Sequence, residues 1–241
     1  AYWSLFAGIG GLIGFLAVQF NLTVLQHFLA ASGLMGLLAL RASRISWVGS
    51  TVNKVTPMFA WPKKNLLFVG LLMFCAALAE GAVADWAAIF VSDRFNLTEA
   101  MALSSFMTFS FAMFLGRMLA DDLVDRYGAA RICGVGGWFA TIGIGIILLS
   151  PYFSIVLIGF LLLGLGLAPV FPLGCARAAN DPVVTPGQGL ASVATFGYGG
   201  IMLGPAFIGF VTQYTSIFLG FGLILICAFY QLLFSWSLKQ G

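Results

Sequence analysis

Ionisable side chains are scarce in this chain. Asp, Glu, Lys and Arg together make up 8% of its 241 residues, and there is one histidine. A water-soluble domain usually carries ~25% charged residues, so a soluble fold is excluded. Disorder needs low hydrophobicity and high charge, and it too is excluded, because 61% of the residues are hydrophobic. The lone histidine, His27, rules out a multi-histidine metal or haem centre. Cysteine is sparse as well. Cys75, Cys133, Cys175 and Cys227 all lie inside or at the edge of apolar runs, a spacing that fits neither a disulfide framework nor a metal site. They read as buried packing residues. No basic segment precedes the first apolar run, Tyr2 to Phe20, as a cleavable signal would require. Its Gly8, Gly10, Gly11 and Gly14 suit a helix packed in a membrane. The expectation is a piece of a longer membrane protein, entered part-way through.

What remains is long apolar runs. A bilayer-spanning helix needs ~20 mainly apolar residues. Eight stretches qualify: 2–20, 23–40, 65–90, 100–119, 132–150, 153–176, 189–212 and 217–237. Barrel strands would be ~10-residue segments of alternating polarity, which these are not. The expected fold is therefore an all-α polytopic helical bundle with membrane lipid as its surround. All but one of the eleven Lys and Arg fall in alternate connections, the exception being Arg94 beside Asp93 and Glu99. The positive-inside rule makes the basic side cytoplasmic, with both ends of the chain on it.

The 41–64 stretch is the most basic connection and carries Trp47, Met58, Phe59 and Trp61. Such a mix suits an amphipathic segment at the membrane surface. Residues 42–64 read as a cytoplasmic linker between domains. Residues 1–41 read as the last two helices of an incomplete N-terminal six-helix domain, and 65–241 as a complete C-terminal six-helix domain. Those six divide at Ser150-Pro151 into three and three, which forces an inverted repeat of the kind secondary transporters use.

The sharpest motif is Gly116-Arg117-Met118-Leu119-Ala120-Asp121-Asp122-Leu123-Val124-Asp125-Arg126-Tyr127-Gly128-Ala129-Ala130-Arg131. Acids and arginines alternate in a stretch too short to be a domain. Ion pairs among Arg117, Arg126, Arg131 and Asp121, Asp122, Asp125 are expected. Asp121 also suits the N-terminal end of the helix starting near Gly189. Contacts made in one state only would bias a two-state protein, so Gly116, Arg117, Asp121, Asp125, Arg126, Gly128 and Arg131 form a candidate cytoplasmic gate. Here the chain resembles the major facilitator superfamily. The match is a Gly at the helix end, Asp125-Arg126-Tyr127-Gly128, and Arg131 as a trailing charge. The Gly-Arg-x-x-x-Asp opening is similar to the fucose-permease-like branch of bacterial inner-membrane carriers. Asp122 stands where a basic residue is usual, and Ala129-Ala130 where Arg or Lys is frequent. The resemblance implies a carrier that works by alternating access, monomeric when full-length, in the cell inner membrane.

Two acids lie within a span. Glu80 is ten residues before the end of the 65–90 stretch, ~15 Å deep at ~1.5 Å per residue. An ionised carboxylate at that depth must face water, find a partner or take a proton. With no basic partner expected at that level, Glu80 is read as a proton carrier. Asp85, beside Trp86, lies nearer the surface, where Trp commonly anchors. Gln188, Ser192, Thr195 and Tyr198 fall on or beside one helical face, a candidate wet wall for a solute, and Gly204-Pro205 would let that helix bend.

No Gly-x-Ser-x-Gly elbow, His-Glu-x-x-His pair or phosphate loop occurs. An enzyme, a cofactor, a metal and a nucleic-acid partner are therefore not expected. Without an ATP site, pumping must draw on an ion gradient. The function expected is secondary transport of a small polar solute such as a sugar or metabolite, with protons as coupling ion. The alternative is a non-transporting structural or receptor-like protein of carrier fold.

Overall fold

The structure is a computed structural model, and it describes residues 2–44 and 63–239. Within them run nine α-helices: α1 Tyr2–Gln19, α2 Val24–Ser43, α3 Lys64–Phe95, α4 Glu99–Tyr127, α5 Ala129–Leu149, α6 Phe153–Leu167, α7 Val170–Ala179, α8 Pro186–Tyr214 and α9 Ile217–Phe234. A 3₁₀ turn, Ser235–Leu238, follows α9. No strand occurs among the described residues, and the expected all-α bundle is observed. Most of the 42–64 linker, including Trp47 and Trp61, lies outside the described residues. Seven helical units are long and apolar enough to cross a membrane, Phe153–Ala179 counting as one, while the apolar part of α1, Leu5–Gln19, is shorter.

Three boundaries differ from those read in the sequence, each for a local reason. The span expected to end at residue 90 continues to Phe95 and stops at Asn96, whose φ of 51° is left-handed. Arg94 is thereby carried on the last turn of α3. Its guanidinium donates to Ile147 O at 2.7 Å and Ser150 O at 2.9 Å. The rings of Phe90 and Phe95 lie 5.8 and 5.3 Å from it. A cation is favoured at such carbonyl ends, so Arg94 ties two helices at the face opposite the basic one. Next, the 117–131 stretch is helix rather than loop. With no Gly or Pro to stop it, α4 runs to Tyr127, and Gly128 alone (φ 84°) joins it to α5. Lastly, the 153–176 span breaks into α6 and α7 at Ala168-Pro169, where proline offers no amide hydrogen.

Packing follows the small residues. In hydrocarbon there is little hydrophobic drive between helices, so close backbone approach matters. Where α5 crosses α6, a Cβ added at Gly143 would sit 2.6 Å from Gly159 O and from Leu163 N. Where α5 meets α9, buried Gln231 donates from Nε2 to Cys133 O at 3.1 Å and Gly166 O at 2.8 Å. Phe90 of α3 stacks on Phe221 of α9, centroids 4.3 Å apart. Helix α1 leans on α4, with Gly11 against Phe106 and Met107, whereas α2 buries none of its residues.

Gly143→Ala is expected to destabilise the bundle by about 1–3 kcal/mol through overpacking. Gly145→Ala, two residues on, has open space within 4 Å of the added methyl and is expected to be neutral. Thermal unfolding of both variants in the same detergent checks the contrast.

Candidate functional site

The site is built where α3, α4 and α8 converge. Gly81 lets α3 come against α8 so closely that a Cβ there would lie 2.7 Å from Ile201 O. That carbonyl is special, because Pro205, four residues on, has no amide hydrogen to give it. Trp86 then donates from Nε1 to Pro205 O at 3.1 Å. This bond fastens α3 to the proline turn of α8.

Beside this junction Arg117 of α4 meets Glu80 of α3, Nη2 to Oε2, at 3.1 Å. The two side chains are 11% and 19% exposed. This overturns the expectation that Glu80 has no basic partner at its depth. The reason is the length of both helices. Glu80 lies halfway along α3 once α3 reaches Phe95, and Arg117 is a mid-helix residue of α4 rather than the start of a loop. A long guanidinium stem directed into the bundle closes the gap. Such a pair sits in a region where an isolated charge is costly.

Two cavities meet at Glu80. The larger, of about 830 Å³, is lined by Ala77, Glu80, Arg117, Met118, Asp121, Phe171, Pro172, Gly197, Tyr198 and Ile201. The smaller, of about 300 Å³, is lined by Ala7, Glu80, Gly81, Ala84, Asp85, Phe106, Phe109, Ser110, Met113, Ile201 and Pro205. Glu80 and Ile201 belong to both. Along α4 and α8 the larger lies toward the basic face and the smaller toward the opposite one.

The predicted site residues divide accordingly. Glu80, Arg117, Asp121 and Tyr198 come together, and Tyr198 stands edge-on to Phe171 with ring centroids 6.2 Å apart. Asp85 lines the smaller cavity. Gln188, Ser192 and Thr195 line neither. Ser192 Oγ donates to Gly189 O and Thr195 Oγ1 to Ala191 O, both at 2.8 Å within their own helix. The Gln188 amide donates to Thr185 Oγ1, the cap of α8. The motif residues Asp121, Asp125, Arg126 and Arg131 are exposed and form no ion pair among the described residues. Gly116 packs α4 against Ala168, and Gly128 is the α4–α5 joint. Arg177, absent from the candidates, bonds Asp181 at 2.8 Å and Lys239 O at 3.2 Å. Phe171 and Ile201 were also missed, since nothing polar marks them. The pairing of Arg117 with Glu80 could have been found from the position of Arg117 inside the apolar run 100–119.

Comparison with known proteins bears on this arrangement. No family model matches the chain. It is 35% identical over 226 residues to the uncharacterized transporter y4wD of Sinorhizobium fredii, covering 93% of this chain and 60% of that protein. It is 33% identical over 220 residues to an uncharacterized MFS-type transporter of Yersinia pestis, covering 90% of this chain and 57% of the relative. The membrane protein MosC of Rhizobium meliloti is 31% identical over 68% of this chain and 40% of its own length. Among solved structures, the peptide transporter POT in complex with sulfate superposes with a TM-score of 0.61 at 17% identity, covering 75% of this chain and 39% of that one. The chain belongs to the major facilitator superfamily. It spans about 60% of the length of y4wD, and the POT likeness is one of fold.

Arg117→Gln and Glu80→Gln are each expected to lower stability, by up to about 3–5 kcal/mol, because each breaks this largely buried ion pair. The double variant should lose less than the sum of the two. Denaturation of all four proteins in detergent checks the cycle, and strict additivity would show that the pair is not coupled.

Proposed function

We propose that the intact protein is a secondary active transporter of a small polar solute such as a sugar or metabolite, coupled to protons. The reading rests on one observation above all, a carboxylate halfway along α3 that borders two cavities and is held by a guanidinium of α4. Family membership supports it, since relatives carry the name MFS-type transporter. In this reading residues 65–241 form one six-helix half, 42–64 the linker, and residues 1–41 the end of the other half. The basic face is cytoplasmic and the membrane is the bacterial inner membrane.

The chemistry proceeds from the pair. While Arg117 holds Glu80, the carboxylate is neutralised and the divide between the cavities is polar but closed. When the two part, a carboxylate in that setting needs water, a solute hydroxyl or a proton. Alternation between Arg117 and a proton as the partner of Glu80 couples solute movement to a gradient. Tyr198 and Phe171 supply an aromatic wall on which an apolar ring face can rest, and Asp121 supplies acceptors at the cavity margin.

Topology is checked first, with single cysteines at Asn96 and Asp122 of an otherwise cysteine-free protein. They should label from opposite sides, Asp122→Cys from the cytoplasm. In proteoliposomes of the full-length protein, Glu80→Gln should abolish uptake driven by a pH gradient while leaving solute binding or exchange in place. Normal concentration of solute by that variant would make Glu80 structural.

A further inference from the structure

The seam between α3 and α9 holds reactive groups that the cavities do not use. The two helices run antiparallel, since Phe90 of α3 stacks on Phe221 of α9 and Phe68 on Phe234, with ring centroids 4.3 and 5.3 Å apart. Seven residues beyond Phe68 stands Cys75, and seven before Phe234 stands Cys227. That interval is about two helical turns, so the register sets the two cysteines opposite each other. Their thiols are in hydrogen-bonding contact, and both are free. Tyr230, three residues after Cys227, lies beside Cys75. Its hydroxyl is buried and has no hydrogen-bond partner among the described residues. Cys227 is buried and Cys75 half-buried. Cys75 lines neither cavity, so its exposed part opens on the outer surface of the bundle.

We propose that Cys75 and Cys227 form a redox pair that is oxidised by a lipid-soluble quinone. Oxidation breaks the two S–H bonds and makes one S–S bond. The two electrons and two protons pass to the quinone, which leaves as hydroquinone. Attack needs thiolate character at one sulfur. The neighbouring S–H and the Tyr230 O–H are donors that steady this charge where hydrocarbon offers none. The dithiol and the disulfide are both neutral, so no ion is left in an apolar seam. The oxidant arrives through the lipid, and its flat ring has a surface to lie against in Phe68 and Trp236, which are 38% and 51% exposed. The disulfide ties α3, the helix that carries Glu80, to α9. This inference is independent of the transporter reading, because neither thiol borders the cavities.

The test uses the full-length protein in proteoliposomes, with Cys75 and Cys227 as its only cysteines and a protease site inserted after exposed Val183, between α7 and α8. Cleavage there separates α3 from α9 unless a disulfide joins them. The probe is a fully substituted benzoquinone, which cannot take a thiol as a ring adduct. After this treatment the two pieces should migrate together until a reductant is added. Thiols titrated in the denatured protein should fall roughly tenfold or more, whereas the hydroquinone should leave them intact. Cys75→Ala and Cys227→Ala should each keep the remaining thiol and release the pieces without reductant. Ferricyanide, confined to water, should act roughly tenfold more slowly than the quinone, because the seam opens on lipid. Tyr230→Phe should slow the oxidation severalfold and leave its final extent unchanged. Pieces that part without reductant in the quinone-treated parent would overturn the pair, as would equal thiol loss in the single variants. Equal rates with ferricyanide and quinone would overturn the choice of oxidant, and an unchanged rate in Tyr230→Phe the part given to the phenol. Should Cys227→Ala fail to fold, Cys75→Ala, at the less buried position, provides the same comparison.

Discussion

Backbone pressed against backbone is the contact on which this bundle depends. Hydrocarbon gives apolar side chains little reason to prefer one another over lipid, so the helices are held where they can come closest. Gly143 and Gly159 bring α5 and α6 together, and Gly81 brings α3 onto α8. The second of these contacts bears on the position of Glu80. It sets Glu80, the residue before Gly81, beside the part of α8 where Pro205 has interrupted the helical hydrogen bonds. A bulkier residue at Gly81 would push α3 outward and take the carboxylate away from that junction.

Three polar side chains tie one helix to main-chain carbonyls of another. Trp86 bonds the carbonyl of Pro205, Gln231 bridges α9 to the carbonyls of Cys133 and Gly166, and Arg94 closes the end of α5. These fix positions, because their acceptors are main-chain oxygens that cannot move independently of a helix. The Glu80–Arg117 bond is different in kind. Both its ends are side chains, and both border cavity space.

Much of the frame was legible in the sequence. Length and hydrophobicity alone placed the helices, and the glycines announced close packing. The site was legible in part. Glu80 stood out because an acid in an apolar run is expensive, and Tyr198 because a polar face could be traced by helical period. The partner of Glu80 was not read, since Arg117 seemed to belong to a loop. Charged residues from Arg117 to Arg126 look like a connection when counted by hydropathy, yet nothing among them breaks a helix. The same period that found Tyr198 also gathered Gln188, Ser192 and Thr195. A periodic pattern does not say whether a hydroxyl faces a cavity or bonds its own backbone, and two of these bond the backbone.

The single-residue joint at Gly128 has a mechanical meaning. Helices linked by a long loop can turn independently, with the slack absorbed between them. Helix α4 ends at Tyr127 and α5 begins at Ala129, so almost no slack exists. Any rotation of α4 about its axis, such as one that turned Arg117 away from α3, would be delivered to α5 as through a stiff crank. Because α5 is locked to α6 by interleaved glycines, the torque would pass on to a third helix rather than dissipate at the first bend.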